Sequence, residues 1–119
     1  MQIKMLKSKL HRARVTETQL HYAGSIKVDP ELMADVGLVP YEAVVIADLD
    51  NGNRLETYVV PAEPGSKDVV IMGAAAQLIK KGDIVIIFSF CFMEESEVEG
   101  YKPSVVALDG DNNILKRIS

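Results

Sequence analysis

Along this 119-residue chain, apolar and polar positions alternate far more often than they recur at helical spacing, so the chain is predicted to be mainly β. The first predicted strand runs from about Ile3 to Val15, where Met5, Ala13 and Val15 alternate with charged residues and the alternation slips in between. One segment has helical grammar: Asp29 as N-cap, Pro30 at the first helical position, Leu32, Met33 and Val36 on one face, and Gly37 as the stop. Glu42 to Leu49 and Arg54 to Val60 read as a hairpin joined by Asp50-Asn51-Gly52-Asn53, with Asn-Gly supplying the positive φ angles of a tight turn. Pro61, Pro64 and Gly65 mark a loop, Val69 to Met72 a short strand, and Gly73 leads into AAAQLI, enough for a turn or two of helix. The longest apolar run, Ile84 to Met93, is predicted as a buried strand, Pro103 to Leu108 as another, and Asp109 to Asn112 as a turn. Ile114 to Ile118 reads as strand or tail. Six or seven short strands with two short helices and no βαβ rhythm point to a small β-barrel with helical plugs, one domain over residues 1–119.

Composition narrows the class. With 48% hydrophobic and 25% charged residues and a net charge of −4, the chain has the profile of an ordinary soluble domain. The ten-residue run Ile84 to Met93 is too short for a membrane helix, which needs about 20 apolar residues. Lysines interrupt the amino terminus every two or three residues, so it is expected to belong to the fold and not to a secretory signal. Cys91 is the single cysteine, which excludes an internal disulfide or a CxxC pair and favours a cytoplasmic setting. In the most apolar strand its thiol is expected to behave as a small hydrophobe.

Charge is uneven. Met1 to Arg14 holds Lys4, Lys7, Lys9, Arg12 and Arg14 and no acid. Either this strand pairs with acidic neighbours such as the Glu94, Glu95, Glu97, Glu99 run, or it binds an anion. An overall pI near 5.1 argues against a general nucleic-acid binder and leaves a small anionic ligand easier to accommodate. A non-catalytic barrel that uses the basic strand to hold an acidic partner or nucleic acid is the alternative reading.

Familiar catalytic templates fail. Neither GxxxxGK[ST] nor GxGxxG occurs, His11 and His21 lack an acidic ligand set, and Asp109-Gly110-Asp111-Asn112 lacks the spacing of a calcium loop, so no metal site is expected. One segment stands apart: Leu20-His21-Tyr22-Ala23-Gly24-Ser25. Gly-Ser is a common turn dipeptide. It also permits a particular chemistry, because a serine hydroxyl can attack the preceding carbonyl when the peptide is held in an unusual conformation, which glycine adopts at least steric cost. Elimination of the resulting ester would leave dehydroalanine, and loss of ammonia a pyruvoyl group.

With that segment, KLHRARVT (Lys9 to Thr16), the NGxRxxTY pattern of Asn51, Gly52, Arg54, Thr57 and Tyr58, Gly73-Ala74-Ala75-Ala76 and GDIVII (Gly82 to Ile87) follow in order. In these landmarks the sequence resembles the pyruvoyl-dependent aspartate 1-decarboxylase family from roughly Met5 to Phe92. The resemblance implies a double-psi β-barrel with short helices, assembled as a homotetramer with active sites between subunits. It implies self-cleavage at Gly24-Ser25 into a β chain of residues 1–24 and an α chain of residues 25–119 that begins with a pyruvoyl cofactor derived from Ser25. The implied reaction is decarboxylation of L-aspartate to β-alanine and CO2 for pantothenate biosynthesis, with no nucleic acid and no membrane involved. Residue by residue, Thr57 matches the residue that hydrogen-bonds near the scissile carbonyl and substrate, Tyr58 the proton donor, and Lys9 and Arg54 the carboxylate-binding cations. His11 and Tyr22 match residues lining the family site, and Gly73, Ala74 and Ala75 its substrate-contacting backbone. Met72 departs from the pattern, since the family commonly has an Asn there and a thioether donates no hydrogen bond. Whether a maturation factor assists cleavage is left open. Strand alternation expects Thr57 and Tyr58 to point to opposite faces.

Overall fold

The computed structural model describes every residue from Met1 to Ser119. Nine strands form one continuous curled sheet in the order β2-β6-β3-β5-β4-β7-β1-β8-β9. They are β1 (Gln2–Arg14), β2 (Glu17–Gln19), β3 (Ser25–Val28), β4 (Ala43–Asp48), β5 (Arg54–Pro61), β6 (Val69–Met72), β7 (Ile84–Glu94), β8 (Ser104–Leu108) and β9 (Ile114–Arg117). The count exceeds the expected six or seven because β2 and β3, three and four residues long, carry too little alternation to announce themselves. Pairing is mixed. β1 lies antiparallel to β7 and parallel to β8, while β3 lies parallel to β5 and antiparallel to β6.

The slip in β1's alternation has a structural cause. Its register against β7 shifts between Leu6 and Ser8 and again between Leu10 and Ala13, and Arg12 sits at φ 68, so two bulges re-aim the strand. Inward residues such as Leu10, Ile26, Val44, Ile46, Val59, Ile71, Val85 and Ile87 merge into a single core of 20 buried hydrophobic residues.

The single α-helix, α1 (Pro30–Val36), forms as its sequence prescribes: Asp29 accepts from Glu31 N at 2.9 Å, Leu32, Met33 and Val36 are buried, and Gly37 closes it at φ 75. Asp29 does more than cap. It also accepts from Gly65 N (3.1 Å) and Lys67 N (2.8 Å), tying the loop before β6 to the helix start. Burial works against its charge, but these three backbone donors hold its carboxyl below the usual carboxylate range.

The turn or two of helix expected at AAAQLI forms as a 3-10 turn over Gly73–Gln77. Three expectations need correction. The β4-β5 turn is longer than a two-residue hairpin: Asp48 N donates to Asn53 O (2.8 Å), Gly52 N donates to Asp48 O (2.9 Å), and in this turn only Gly52 has positive φ. β7 has its buried residues, Val85 and Ile87 to Ser89, in its first half and emerges beyond them, with Phe92 67% exposed. The basic strand does not pair with the acidic run as a whole; Glu94 meets the terminal ammonium at 3.4 Å, whereas Lys7 pairs with Glu42 at 3.0 Å.

Candidate active site

Ser25 opens β3 opposite Met72 at the end of β6. That pairing brings two distant stretches together and buries Ser25 to 4% exposure. Its Oγ has one hydrogen-bond partner, the Met72 Sδ at 3.8 Å, a weak acceptor that orients a hydroxyl without taking its proton. The preceding Gly24 is exposed. The parallel register that pairs Ile26 with Val59, extended two residues back, sets Thr57 of β5 level with Gly24. Gly24, Leu55, Glu56, Thr57, Met72, Ala74, Ala75 and Leu78 line one cavity of about 300 Å³.

Gly73 backs directly onto the Gly24 backbone. It turns at φ 78, and a Cβ there would lie 2.6 Å from Gly24 Cα, 2.9 Å from Gly24 N and 3.0 Å from Tyr22 O. No side chain fits between the 3-10 turn and the Gly24 backbone.

The remaining candidates divide by strand face. Thr57 and Leu55 are half-buried on the cavity side of β5, while Arg54, Glu56 and Tyr58 alternate with them as exposed residues, Glu56 still reaching the edge of the cavity. Arg54 lies over the Phe88 ring at 4.9 Å and shares a second cavity, about 340 Å³, with Lys9, Phe88 and Phe90. Lys4 sits 4.6 Å over Phe90, and Tyr58, 38% exposed, packs against Tyr41 with ring centroids 6.2 Å apart. Half-buried His11 has an Nδ1 sealed from solvent without a partner. Burial, then Lys9, then Arg12 lower its pKa, so its imidazole is neutral at pH 7. Tyr22 projects outward at 61% exposure. Within one chain, then, Gly24, Ser25, Thr57, Gly73, Ala74 and Ala75 come together, Lys9 and Arg54 form a second group, and Tyr58, His11 and Tyr22 line neither cavity.

Residues 1–115 match the aspartate decarboxylase family. The chain belongs to this family. Aspartate 1-decarboxylase of Clostridium kluyveri is 50% identical over 116 residues, 98% of this chain and 91% of its own length. That of Clostridium novyi is 49% identical over 116 residues, 98% of this chain and 94% of the relative. Among solved structures, a rationally designed double-psi β-barrel protein aligns with TM-score 0.50 at 18% identity, covering 73% of this chain and 96% of the other. The fold of this aspartate decarboxylase family member is the double-psi β-barrel. No helix is long and apolar enough to cross a membrane.

Sequence reasoning missed several neighbours of these residues. Leu55 and Leu78 give the cavity apolar walls, and Phe88 supplies the ring beneath Arg54. Phe88 and Leu55 are placed by cross-strand register and Leu78 by the end of the 3-10 turn, none of which leaves a local mark. The orphaned Nδ1 of His11, which lies within the second β1 register shift, was likewise not foreseen.

Proposed function

We propose that this protein is a self-processing enzyme that removes the α-carboxylate of L-aspartate to give β-alanine and CO2. The observation that carries the reading is the Gly24-Ser25 junction: an exposed glycine and a buried serine at the rim of a cavity shared with Thr57, Ala74 and Ala75. The residues present fit a pyruvoyl group. The serine that would furnish it is in place, glycine precedes it, and Gly73 holds the Gly24 backbone from behind.

In maturation, Ser25 Oγ attacks the Gly24 carbonyl carbon and the Gly24-Ser25 amide becomes an ester. Elimination breaks the Ser25 Cβ–O bond, releasing residues 1–24 with a Gly24 carboxylate and leaving dehydroalanine at position 25. Its imine tautomer takes up water and loses ammonia, so residues 25–119 begin with a pyruvoyl group. Thr57 holds the Gly24 oxygen as negative charge develops on it. Met72 orients the Ser25 hydroxyl, and general-base duty falls elsewhere.

The pyruvoyl carbonyl supplies the electron sink that protein side chains lack, accepting the charge left at Cα when CO2 departs. The chain's own residues do the rest. Arg54, with its planar fork stacked on Phe88, grips one carboxylate bidentately, and Lys9 meets the other as a point charge. The Tyr58 phenol delivers the proton to Cα. Neutral His11 and exposed Tyr22 border the substrate, and the Gly73 to Ala75 backbone contacts it.

Because Arg54 and Tyr58 occupy the face of β5 opposite Thr57, and Lys9 of β1 shares a cavity with Arg54, the two halves of the site meet when one copy's outer face covers another copy's cavity. The exposed Phe92, Tyr58 and Tyr41 on that face suit burial against a second copy. A homotetramer follows as the working assembly, with the product destined for pantothenate synthesis in the cytoplasm; a maturation factor is not required by this scheme. The test is Ser25→Ala: it should fold, remain one chain and make no β-alanine. Normal β-alanine production by that variant would falsify the reading.

A further inference from the structure

Away from these cavities, three aspartates converge where the β4-β5 turn meets the start of β7. One carboxylate oxygen each from Asp48, Asp50 and Asp83 lies within 4.8 Å of the others. Proximity of acids is ordinary on a surface, but here the oxygens are sorted. Asp48 Oδ1 accepts from Asp50 N (2.8 Å), Asp50 Oδ2 from Ile84 N (2.8 Å) and Asp83 Oδ2 from Lys80 N (3.0 Å). Each carboxylate is thus anchored through one oxygen, and the other has no protein donor.

The decisive member is Asp48. It is 3% exposed, and its Oδ2 is sealed from solvent with no hydrogen-bond partner. A buried carboxylate oxygen beside other carboxylates is costly unless something positive meets it. No lysine or arginine does, since the chain's only ion pairs are Met1–Glu94 and Lys7–Glu42. What fits is a hard cation. Three oxygens spread over at most 4.8 Å match one ion with Ca–O distances of about 2.4 Å, its remaining positions open to water through exposed Asp50.

We propose that Asp48, Asp50 and Asp83 form a divalent-cation site, suited to calcium, that fastens the β4-β5 turn to the start of β7. The site is independent of the decarboxylase chemistry and contains none of its residues. Ion binding would stabilise the folded chain by mass action. A competing proton is the other positive charge available at Asp48, whose carboxyl burial and Asp83 push up to about 6.

The test uses the full-length protein, stripped with EDTA and exchanged into divalent-free buffer at pH 7.5. Titration with calcium chloride in a calorimeter should show one saturable site per chain with a Kd of about 0.1 to 1 mM. Thermal unfolding with 5 mM calcium chloride should give a midpoint several degrees above that in sodium chloride of equal ionic strength. Asp48→Asn should abolish both responses, and the exposed Asp50→Asn should weaken binding at least severalfold without disturbing the fold. A calcium response that persists undiminished in Asp48→Asn overturns the proposal. So does a wild-type protein that ignores calcium at pH 7.5 and is instead stabilised by acidification towards pH 5, the behaviour of a proton shared by Asp48 and Asp83.

Discussion

Gly73→Ala is the most demanding single substitution for this arrangement. Alanine at φ 78 sits in the left-handed region, at a cost of about 1 to 2 kcal/mol. Its Cβ would also lie 2.6 Å from Gly24 Cα and 2.9 Å from Gly24 N, against an ordinary contact of about 3.5 to 4 Å, so backbone must move by roughly 1 Å. Overpacking of that kind costs about 1 to 3 kcal/mol. Together these destabilise the fold by about 2 to 5 kcal/mol, enough to lower the melting midpoint by about 10 °C or more in a chain of this size. The displacement falls on the scissile segment itself. A misplacement of about 1 Å in a reacting geometry slows a step by about 100-fold, so cleavage should be slowed well beyond the loss expected from instability alone. Thermal denaturation followed by circular dichroism reads the first effect. Time-resolved intact mass spectrometry of freshly expressed protein, incubated well below the lowered midpoint, reads the second. A Gly73→Ala protein that melts with wild type and splits at the wild-type rate would refute both the close approach of Gly73 to Gly24 and its role in maturation.

Thr57→Val should slow cleavage by about 100-fold, the loss of about 3 kcal/mol expected when one oxyanion donor is removed, and normal splitting on the same mass assay would assign that role elsewhere. Arg54→Lys keeps the charge and loses the fork, so a fully processed enzyme should show kcat/KM for aspartate lower by about tenfold to 100-fold, and unchanged kinetics would move the carboxylate clamp. Tyr58→Phe should process normally and lose decarboxylation by about 100-fold or more, measured as CO2 release; turnover at the wild-type rate would remove Tyr58 as proton donor. In divalent-free buffer, the raised pKa of Asp48, about 6, means that the folded chain holds that proton more tightly than the unfolded chain. The stability so gained is complete below about pH 4, where the unfolded carboxyl is also protonated, and is lost as pH rises through 6. Asp48→Asn should flatten that slope in a series of thermal melts, and an unchanged slope would place the proton elsewhere.

How much of this was legible depends on whether the determining contact is local. Asp29, Pro30 and Gly37 specify α1 within nine residues, and the helix follows them at both ends. The further bonds from Asp29 to Gly65 and Lys67 join segments more than 35 residues apart, and nothing near either segment signals them. β2 and β3 exist because parallel and antiparallel partners around Val70 and Val59 stabilise them, so their own three and four residues were silent. Ile84 to Met93 read as wholly buried because hydrophobicity does not distinguish a core face from an exposed one; Phe92 lies on the latter. At the site, the ordered landmarks from Lys9 to Ala75 named the candidates, and alternation correctly separated Thr57 from Tyr58. The same alternation puts Arg54 on the Tyr58 side, a consequence that becomes plain once Phe88 is seen beneath it. The aspartate cluster escaped notice because Asp83 is 33 residues from Asp50 and meets it through the β4-β7 pairing.

The central claim is that the chain cuts itself between Gly24 and Ser25 and makes its own electrophile there. Intact-mass analysis of the freshly purified wild-type protein, alongside Ser25→Ala, tests it most directly. Self-processing predicts two wild-type pieces, residues 1–24 ending in a free carboxylate and residues 25–119 beginning with a pyruvoyl group, about 17 Da lighter than the same piece beginning with serine, while Ser25→Ala stays whole. A wild-type protein that forms β-alanine from aspartate as a single uncut chain of 119 residues would contradict it.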